Sequence, residues 1–472
     1  MNLLYIHIMK TFKYYFLIYF FLLSSCNKNV NNSTNDSVND EPWPFKMYEF
    51  DSDGNIIFSE INILDFQPSR DCKNCHIEQY QEWKLSKHHS SINNPIFQIQ
   101  KNKAKEHFND LGDRFCIQCH SPSLFISGIY DTDTLGLDDN IKEIIDDGIG
   151  CDFCHSTTRL NTGSLVLDDY KLIDSDYYIN PGEGIKYGSI PNPENNIFHE
   201  SKFNSIYQDS RVCLPCHNMV IRNVEAHMTM VEWASDPLNV MADNRNCQSC
   251  HMPFEGDHHN HMFSGIDIDL TKSIYHEENQ MRIQSITQLL DTAVVSYFYN
   301  SKYELSETIQ SNDTLIIPLT VLNKTSHSIP TGTSYNREAW VEVIVSDRNN
   351  NTICDFGTIE TNKDYLDYNS DNIIFTSWIK SALGDTIFSS IDIHSIIDNT
   401  LKINESIEWD FYCYIPDNVT DSIKVSSRMR IRPIKPQLFN SDSEFDSYMH
   451  LLDNIPVFDI NLSKIEKTIY LD

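Results

Sequence analysis

The C-terminal part of the chain carries short runs in which apolar and polar residues alternate, the pattern of strands with one buried face. Turn residues separate the runs, which is typical of an antiparallel β-sandwich. The apolar positions are Leu315, Ile317, Leu319 and Val321, then Val341, Val343 and Val345, then Ile407, Trp409, Phe411, Cys413 and Ile415, then Ile423, Val425, Met429 and Ile431. We therefore predict a β-sandwich domain over residues 281–472.

The preceding residues, 44–280, show short helical periods and many loops instead. A short β-rich lead-in comes first, with a turn at Asp51–Gly54. One helix is expected from Glu78 to Ser90, where Tyr80 and Trp83 are three residues apart. The predicted fold class is α+β multidomain, with a mainly short-helix and loop domain followed by the antiparallel β-sandwich.

The N-terminus predicts export. Lys10 and Lys13 precede an apolar run that is too short to span a bilayer as a helix. The run ends in Leu23-Ser24-Ser25-Cys26, which resembles the lipobox of bacterial lipoproteins and predicts lipidation of Cys26. A plain secretory signal, with Cys26 as an ordinary thiol, is the alternative. We predict a signal peptide at 1–26, a flexible tether at 27–43 and a membrane-anchored lipoprotein that faces the periplasm or cell surface, for example at an outer membrane.

Five copies of one motif, Cys-x-x-Cys-His, account for ten of the 13 cysteines. Two thiols at this spacing reach the two vinyl groups of one haem, and the next residue, histidine, binds the iron. Zinc ribbons use paired motifs with four ligands per metal, and disulfides give no reason for the histidines. The sequence thus predicts five covalent haem c groups, held by Cys72, Cys75 and His76, by Cys116, Cys119 and His120, by Cys151, Cys154 and His155, by Cys213, Cys216 and His217, and by Cys247, Cys250 and His251.

The other axial position of each iron calls for a second ligand. His88 follows His76 by twelve residues, about 18 Å along the predicted helix, and is expected to reach a neighbouring haem. The adjacent His89 points about 100° away and is less suited. Further candidates, each with a surface or packing role as its alternative, are His199, His227, His259, His261 and His327, of which His259 and His261 crowd with His258 into one short stretch.

Two more features leave alternatives open. Cys354 and Cys413 lie in the predicted β-sandwich and could pair, although sequence does not give their separation. Arg428, Arg430 and Arg432 share one face of a predicted strand. That face is either solvated, the simpler interpretation, or a contact for a haem propionate or an anionic partner.

The formal net charge of −31 makes nucleic acid a poor partner, because phosphate binding needs clustered Lys and Arg. Two interpretations of the acidity stand. It keeps a solvated surface soluble, or it forms a docking surface for a basic redox partner.

Three segments resemble a known group. Cys72-Lys-Asn-Cys75-His76 through Gln79-Tyr80-Gln-Glu-Trp83-Lys-Leu-Ser86-Lys-His88 is similar to the first-haem region of multihaem cytochromes related to cytochrome c-554 and hydroxylamine oxidoreductase. Asp147-Gly-Ile-Gly-Cys151 and Cys247–Pro253 are similar to later haem sites, and Asn323–Glu342 to an appended β-domain. The resemblance implies that His88 is a distal ligand of another haem, as are His199 and one histidine of 258–261. The group holds both electron carriers and enzymes.

Three hypotheses of function follow. The leading one is a pentahaem electron carrier between periplasmic or surface redox partners at a membrane. The second is a haem enzyme, a reductase or oxidase of a small nitrogen or sulfur compound, which requires one iron with an open position. The third is an electron-transfer subunit of a membrane complex, docked through the β-domain. The sequence leaves open whether a small-molecule substrate exists, and we favour a carrier over an enzyme.

Overall fold

The computed structural model describes residues 49–50, 56–57, 61–108, 110–129, 138–167, 170–221, 224–236, 238–239, 245–369, 371–441 and 443–472. All of them belong to one compact unit, Pro44–Asp472. The predicted signal peptide, Cys26 and the tether lie outside the described residues. The domain boundary at residue 280 stays a prediction. No helix among the described residues is long and apolar enough to cross a bilayer.

Short helices dominate the first part of this unit. They are α1 (Ser69–Cys72), α2 (Ile77–Leu85), α3 (Pro95–Phe108), α4 (Asp110–His120), α5 (Pro122–Ile126), α6 (Asp139–Asp146), α7 (Cys151–His155), α8 (Leu214–His217), α9 (Thr229–Ala234), α10 (Cys247–His251) and α11 (Glu277–Leu290). Turns of 3-10 helix lie at Ile63–Asp65, Pro181–Glu183, Ser205–Gln208, Ser210–Cys213, Ser390–Asp392, Pro436–Asn440 and Ser443–Asn454. The fold class predicted from the sequence is confirmed.

The helix expected from Glu78 to Ser90 is shorter than predicted. It ends at Leu85, and Ser86 has an extended backbone with ψ 161°. The indole N–H of Trp83 donates to the carbonyl of Ile149, and the N–H of Ile149 donates to the carbonyl of His88. These contacts hold the residues after Ser86 as turns, so the distance estimated along a continuous helix for His88 was wrong.

Strands also occur among the helices. They are β1 (Glu49–Phe50), β2 (Ile56–Ile57), β3 (Thr157–Leu167), β4 (Tyr170–Ile179), β5 (Ile185–Gly188), β6 (Glu200–Phe203), β7 (Met219–Ile221), β8 (Val224–His227), β9 (Phe254–Glu255) and β10 (His258–His259). Strands β1 and β2 form the antiparallel lead-in pair. The four-stranded sheet β3-β4-β7-β8 was not predicted, because Asp174-Ser175-Asp176 interrupts any apolar alternation in β4.

The β-sandwich has two sheets. Its strands are β11 (Val294–Tyr297), β12 (Thr308–Ile309), β13 (Thr314–Asn323), β14 (Glu338–Asp347), β15 (Thr352–Phe356), β16 (Ile374–Lys380), β17 (Thr386–Ile387), β18 (Ser395–Asn399), β19 (Ser406–Tyr414), β20 (Ser422–Arg432) and β21 (Phe458–Leu471). One sheet has the order β11-β13-β19. The other has the order β12-β21-β20-β14-β16-β17, with β15 beside β14 and β18 beside β16. All pairings in the sandwich are antiparallel except that of β12 with β21.

The two sheets enclose the core that the alternation predicts. The alternating apolar positions of β13, β14 and β20 are buried, as are Phe411 and Cys413 of β19. Ile266, Ile268 and Leu270 from the segment before α11 join the same cluster. The helical part and the sandwich therefore share one apolar core, which fixes the sandwich loops against the helical part.

The arginine face of β20 is an internal charge network. Arg428 and Arg430 both pair with Glu342 of β14 and Asp459 of β21. Arg432 is fully buried and pairs with the fully buried Glu338. The expectation of a solvated face was wrong, because carboxylates on both neighbouring strands lie across from the guanidinium groups.

Candidate haem sites

The five motifs lie on short helices or on the turns that join them. Three of them, at Cys116–His120, Cys151–His155 and Cys247–His251, lie within α4, α7 and α10. The other two cross from one short helix into the next. Residues three and four apart lie on the same side of a helical turn, so both thiols and the imidazole face one direction. This local geometry is what thioether attachment and axial ligation of one haem require.

Backbone carbonyls orient three of the motif imidazoles. The Nδ1 atoms lie 3.0 Å from the carbonyl of Ser91 for His120, 2.7 Å from that of Tyr187 for His155 and 2.6 Å from that of Ser264 for His251. A carbonyl only accepts hydrogen bonds, so Nδ1 carries the proton and Nε2 keeps its lone pair for a metal.

Burial keeps the imidazole rings of four motif histidines neutral. It lowers the pKa of His120 and of His217 to about 4, and it also lowers the pKa of His155 and His251. A neutral imidazole is the form that binds a metal ion. Burial together with the carbonyl contacts therefore fits the residues to an axial ligand role.

Three predicted distal histidines face three motif histidines. Ring centres are 6.3 Å apart for His76 and His199, 6.3 Å for His155 and His261, and 6.2 Å for His251 and His327, with interplanar angles of 26°, 29° and 21°. Two imidazoles that bind one metal from opposite sides through bonds of about 2 Å have ring centres about 6 Å apart. The three pairs thus have the spacing for bis-histidine ligation.

The carbonyls of His259 and Ser328 orient two of these distal rings. The Nδ1 atoms of His261 and His327 lie 2.6 Å and 2.9 Å from these carbonyls, respectively. Their Nε2 atoms are left with free lone pairs, as in the motif histidines. His327 comes from the loop between β13 and β14, so the sandwich supplies a side chain to the fifth motif.

His217 faces two candidates. The ring of His88 lies 6.3 Å from that of His217, the same spacing as in the three pairs, and His227 lies 5.7 Å away and edge-on at 85°. Nε2 of His227 is hydrogen-bonded to the hydroxyl of Thr229 at 3.1 Å. Nδ1 of His88 is buried without a hydrogen-bond partner among the described residues.

His120 differs from the other four motif histidines. Its ring stacks on Phe97, with centres 3.8 Å apart and an angle of 16°. Within the described ranges, no histidine ring faces His120 at the spacing of the other pairs. Phe97 was not singled out from the sequence, and no pattern in α3 marks it.

Two further histidines considered as ligands, His259 and His89, contact aromatic side chains. His259 lies on β10, with Nδ1 2.8 Å from the carbonyl of Met252 and its ring 5.4 Å from that of Phe254. His89 packs on Trp83 at 4.6 Å. In the described part of the chain neither ring faces a motif histidine, so the ligand prediction for His259 stays a prediction.

Thiols of different motifs lie side by side. Cys72 lies beside Cys151, Cys119 beside Cys216 and Cys213 beside Cys247. The first motif therefore adjoins the third, the second adjoins the fourth and the fourth adjoins the fifth. His76 and His155, of the first and third motifs, also interact electrostatically, which agrees with this order.

Comparisons with known proteins concern the first three motifs and the fold. Residues 71–156 match the family described as cytochrome c554 and c-prime. The fold is similar to that of a penta-heme cytochrome c552 from Thermochromatium tepidum, with 16% sequence identity and a TM-score of 0.58. The match covers 87% of this chain and 100% of that chain. No curated protein matches the chain.

The motifs carry the residues that haem c requires, and redox chemistry with protein partners is the activity that such groups supply. Through its five motifs, the family match over residues 71–156 and its fold, the chain is therefore similar to multihaem c-type cytochromes of the cytochrome c554 group, with an appended β-domain.

Proposed function

We propose that the protein holds five haem c groups and carries electrons between redox partners in the periplasm or at the cell surface. The observation that carries this proposal is the facing of four motif histidines by other histidines at 6.2–6.3 Å. An iron with two imidazole ligands has no position for substrate, so such a haem exchanges electrons only. Lipidation at Cys26 would keep the carrier at a membrane.

The adjacent motifs supply a path for the electrons. The contact of Cys72 with Cys151 supports neighbouring haems at the first and third motifs, and that of Cys213 with Cys247 supports neighbouring haems at the fourth and fifth. The interaction of Cys154 with Cys216 supports a step from the third motif to the fourth. The contact of Cys119 with Cys216 adds the second haem as a branch at the fourth. His88 supports the fourth site as the centre, because it interacts with His217, His120 and His251.

We expect the variant His88→Ala to contain one high-spin haem more than the parent protein. The ring of His88 lies from that of His217 at the spacing of two imidazoles that bind one iron. Removing the His88 ring would leave the iron at the fourth motif with one imidazole. Electron paramagnetic resonance of the oxidised protein, with the haem content counted, measures this. His227→Ala is the matched control and should leave the spectrum low-spin at that site, because Thr229 already occupies its Nε2. The reverse result would assign the site to His227.

A second function is favoured by His120. The absence of a facing histidine among the described residues supports an open iron at the second motif, which an enzyme acting on a small nitrogen or sulfur compound requires. Lys87 interacts with His120 electrostatically and would favour an anion there.

For this second function we expect one high-spin haem per chain in the parent protein, which added cyanide converts to low-spin. The reason is that an open axial position accepts an external ligand, whereas two imidazoles exclude it. Titration followed by the visible spectrum gives the number of sites. A parent protein that is wholly low-spin and does not respond to cyanide would leave the carrier as the only proposed function.

A further inference from the structure

A separate group of metal-ligating side chains lies between helix α2 and the β9–β10 hairpin. Glu78 and Glu82 are four residues apart on α2 and therefore lie on the same side of the helix. Asp257 and His258 come from the hairpin. Carboxylate oxygens of Glu78 and Asp257 and a ring nitrogen of His258 all lie within 4.8 Å of one another. None of these residues belongs to a haem-binding motif.

The two nitrogens of His258 have different surroundings. Nε2 lies 3.1 Å and 3.2 Å from the two carboxylate oxygens of Glu82, so it donates to that group. Nδ1 then faces the carboxylates of Asp257, at 3.2 Å, and Glu78, at 3.7 Å. Glu82 is itself held by the backbone N–H of His261 at 2.8 Å. A carboxylate that orients the far nitrogen of a histidine is the support found around zinc-binding histidines.

Among the described residues, no lysine or arginine forms an ion pair with this group. Three carboxylates surround one imidazole, and the described ion pairs of all three are with His258 itself. With Nε2 as donor, the lone pair on Nδ1 would point at two negative groups, which is unfavourable. Either a proton on Nδ1 or a metal cation between the three groups would remove this repulsion.

Burial divides the group into a fixed part and an open part. The side chains of His258 and Glu82 are 14% and 18% exposed, whereas those of Glu78 and Asp257 are 73% and 95% exposed. The imidazole and its orienting carboxylate are thus set by packing, and the two outer ligands face solvent. A cation can reach the group without any rearrangement of the fold.

We propose that Glu78, Asp257 and Nδ1 of His258 bind one zinc ion, with Glu82 as the residue that orients His258. Zinc ligands at bond lengths of about 2.0–2.1 Å around a tetrahedron lie about 3.4 Å apart. The nitrogen–oxygen distances of 3.2 Å and 3.7 Å lie on either side of that value. A nitrogen ligand favours zinc over calcium or magnesium, which prefer oxygen alone. Water would fill the fourth position.

The site would join two haem regions. Helix α2 starts directly after His76 of the first motif, and the hairpin runs on to His261, which faces His155 of the third motif. Zinc at this place would fix the helix to the hairpin without taking part in electron transfer. The inference therefore stands whether the protein is a carrier or an enzyme.

Isothermal titration of the holoprotein with zinc chloride tests the site, using protein without a histidine tag. We expect one saturable site per chain, and no comparable site for calcium or magnesium.

Variants of the site residues test which side chains bind the ion. Asp257→Asn changes one exposed ligand and should weaken zinc binding. Glu82→Gln should weaken it by about 10–100-fold through loss of orientation. His258→Ala should remove it. Asp71→Asn, an exposed carboxylate on α1, is the charge-matched control and should bind zinc like the parent.

Failure to find a saturable zinc site, or zinc binding that survives both Asp257→Asn and His258→Ala, would overturn the proposal. The first outcome would leave a protonated His258 as the group that balances the carboxylates. Because the Asp257 side chain is almost fully exposed, its variant should fold like the parent. An unchanged visible haem spectrum in each variant confirms that the haem sites are intact.

Discussion

Replacing Cys354 and Cys413 together with alanine is expected to lower the free energy of unfolding by about 4 kcal/mol. The two cysteines form a disulfide, which the sequence left open, and their Cα atoms are 5.9 Å apart. Cys354 lies on β15 of the larger sheet and Cys413 on β19 of the smaller one. The bond therefore joins the two halves of the sandwich, and it closes a loop across 59 residues. A cross-link over so long a loop removes much of the conformational entropy of the unfolded chain.

Urea unfolding followed by far-ultraviolet circular dichroism measures this change. The double variant should unfold at a lower urea concentration than the parent. Cys354→Ala alone breaks the same bond but keeps the buried Cys413 side chain, so it separates the cross-link from packing in the core. A single variant as stable as the parent would show that the disulfide adds nothing to stability. Neither cysteine belongs to a haem-binding motif, so these variants should leave haem attachment unchanged. An unchanged visible haem spectrum would confirm that the haem sites are intact.

The sandwich could be predicted because its pattern is local. Strands β13, β14 and β20 bury the apolar positions that alternate along them, because a period of two puts these positions on one face. Strand β19 is the exception, since it buries Phe411 and Cys413 but leaves Trp409 38% exposed, so the expectation for Trp409 was wrong. The end of α2 could not be predicted. Residues 86–90 directly follow a helix, and the sequence suggests that the helix continues through them. Their conformation is instead decided by the hydrogen bonds of Trp83 and His88 with Ile149, which is more than 60 residues away.

The haem sites likewise have one part that the sequence predicts and one part that depends on tertiary packing. The motif cysteines and histidines could be read directly, because attachment of one haem depends on residues within one helical turn. The facing histidines could only be enumerated as candidates. His199, His261 and His327 come from a loop, a hairpin and the sandwich, and tertiary packing alone decides which motif each one faces. Phe97 on His120 follows from packing of α3 and has no sequence signal.

Charged side chains were the least predictable feature. The arginine face of β20 has the spacing of a solvated strand face, and its partners lie on β14 and β21, far away in sequence. Opposite charges across neighbouring strands convert such a face into a buried network, which depends on strand order. Lys435 is a further case. Nothing in the sequence separates it from a surface lysine, yet its side chain is fully buried.

The stability of the parent protein is expected to rise with pH between about 7 and 10 because of Lys435. Its ammonium group donates to the carbonyl of Ser377 at 2.9 Å and lies 3.6 Å from the centre of the Trp378 ring. Burial lowers the pKa of Lys435 to about 7, and Glu338 opposes this in part. An unfolded lysine has a pKa of about 10.4. Between these values the unfolded chain binds a proton that the folded chain does not, so a higher pH favours the folded state.

The expected gain is about 4 kcal/mol from pH 7 to pH 10, at about 1.4 kcal/mol for each pH unit. Below pH 7 both states carry the proton, and the contribution of Lys435 becomes constant. Urea unfolding of the parent and of Lys435→Met at each pH isolates the effect, because the variant lacks the titrating group and should lose this rise. Lys424→Met, at a lysine of β20 that is 45% exposed, should follow the parent curve. Equal pH slopes for the parent and Lys435→Met would mean that the buried ammonium keeps its proton up to pH 10, held by the carbonyl of Ser377 and the face of Trp378.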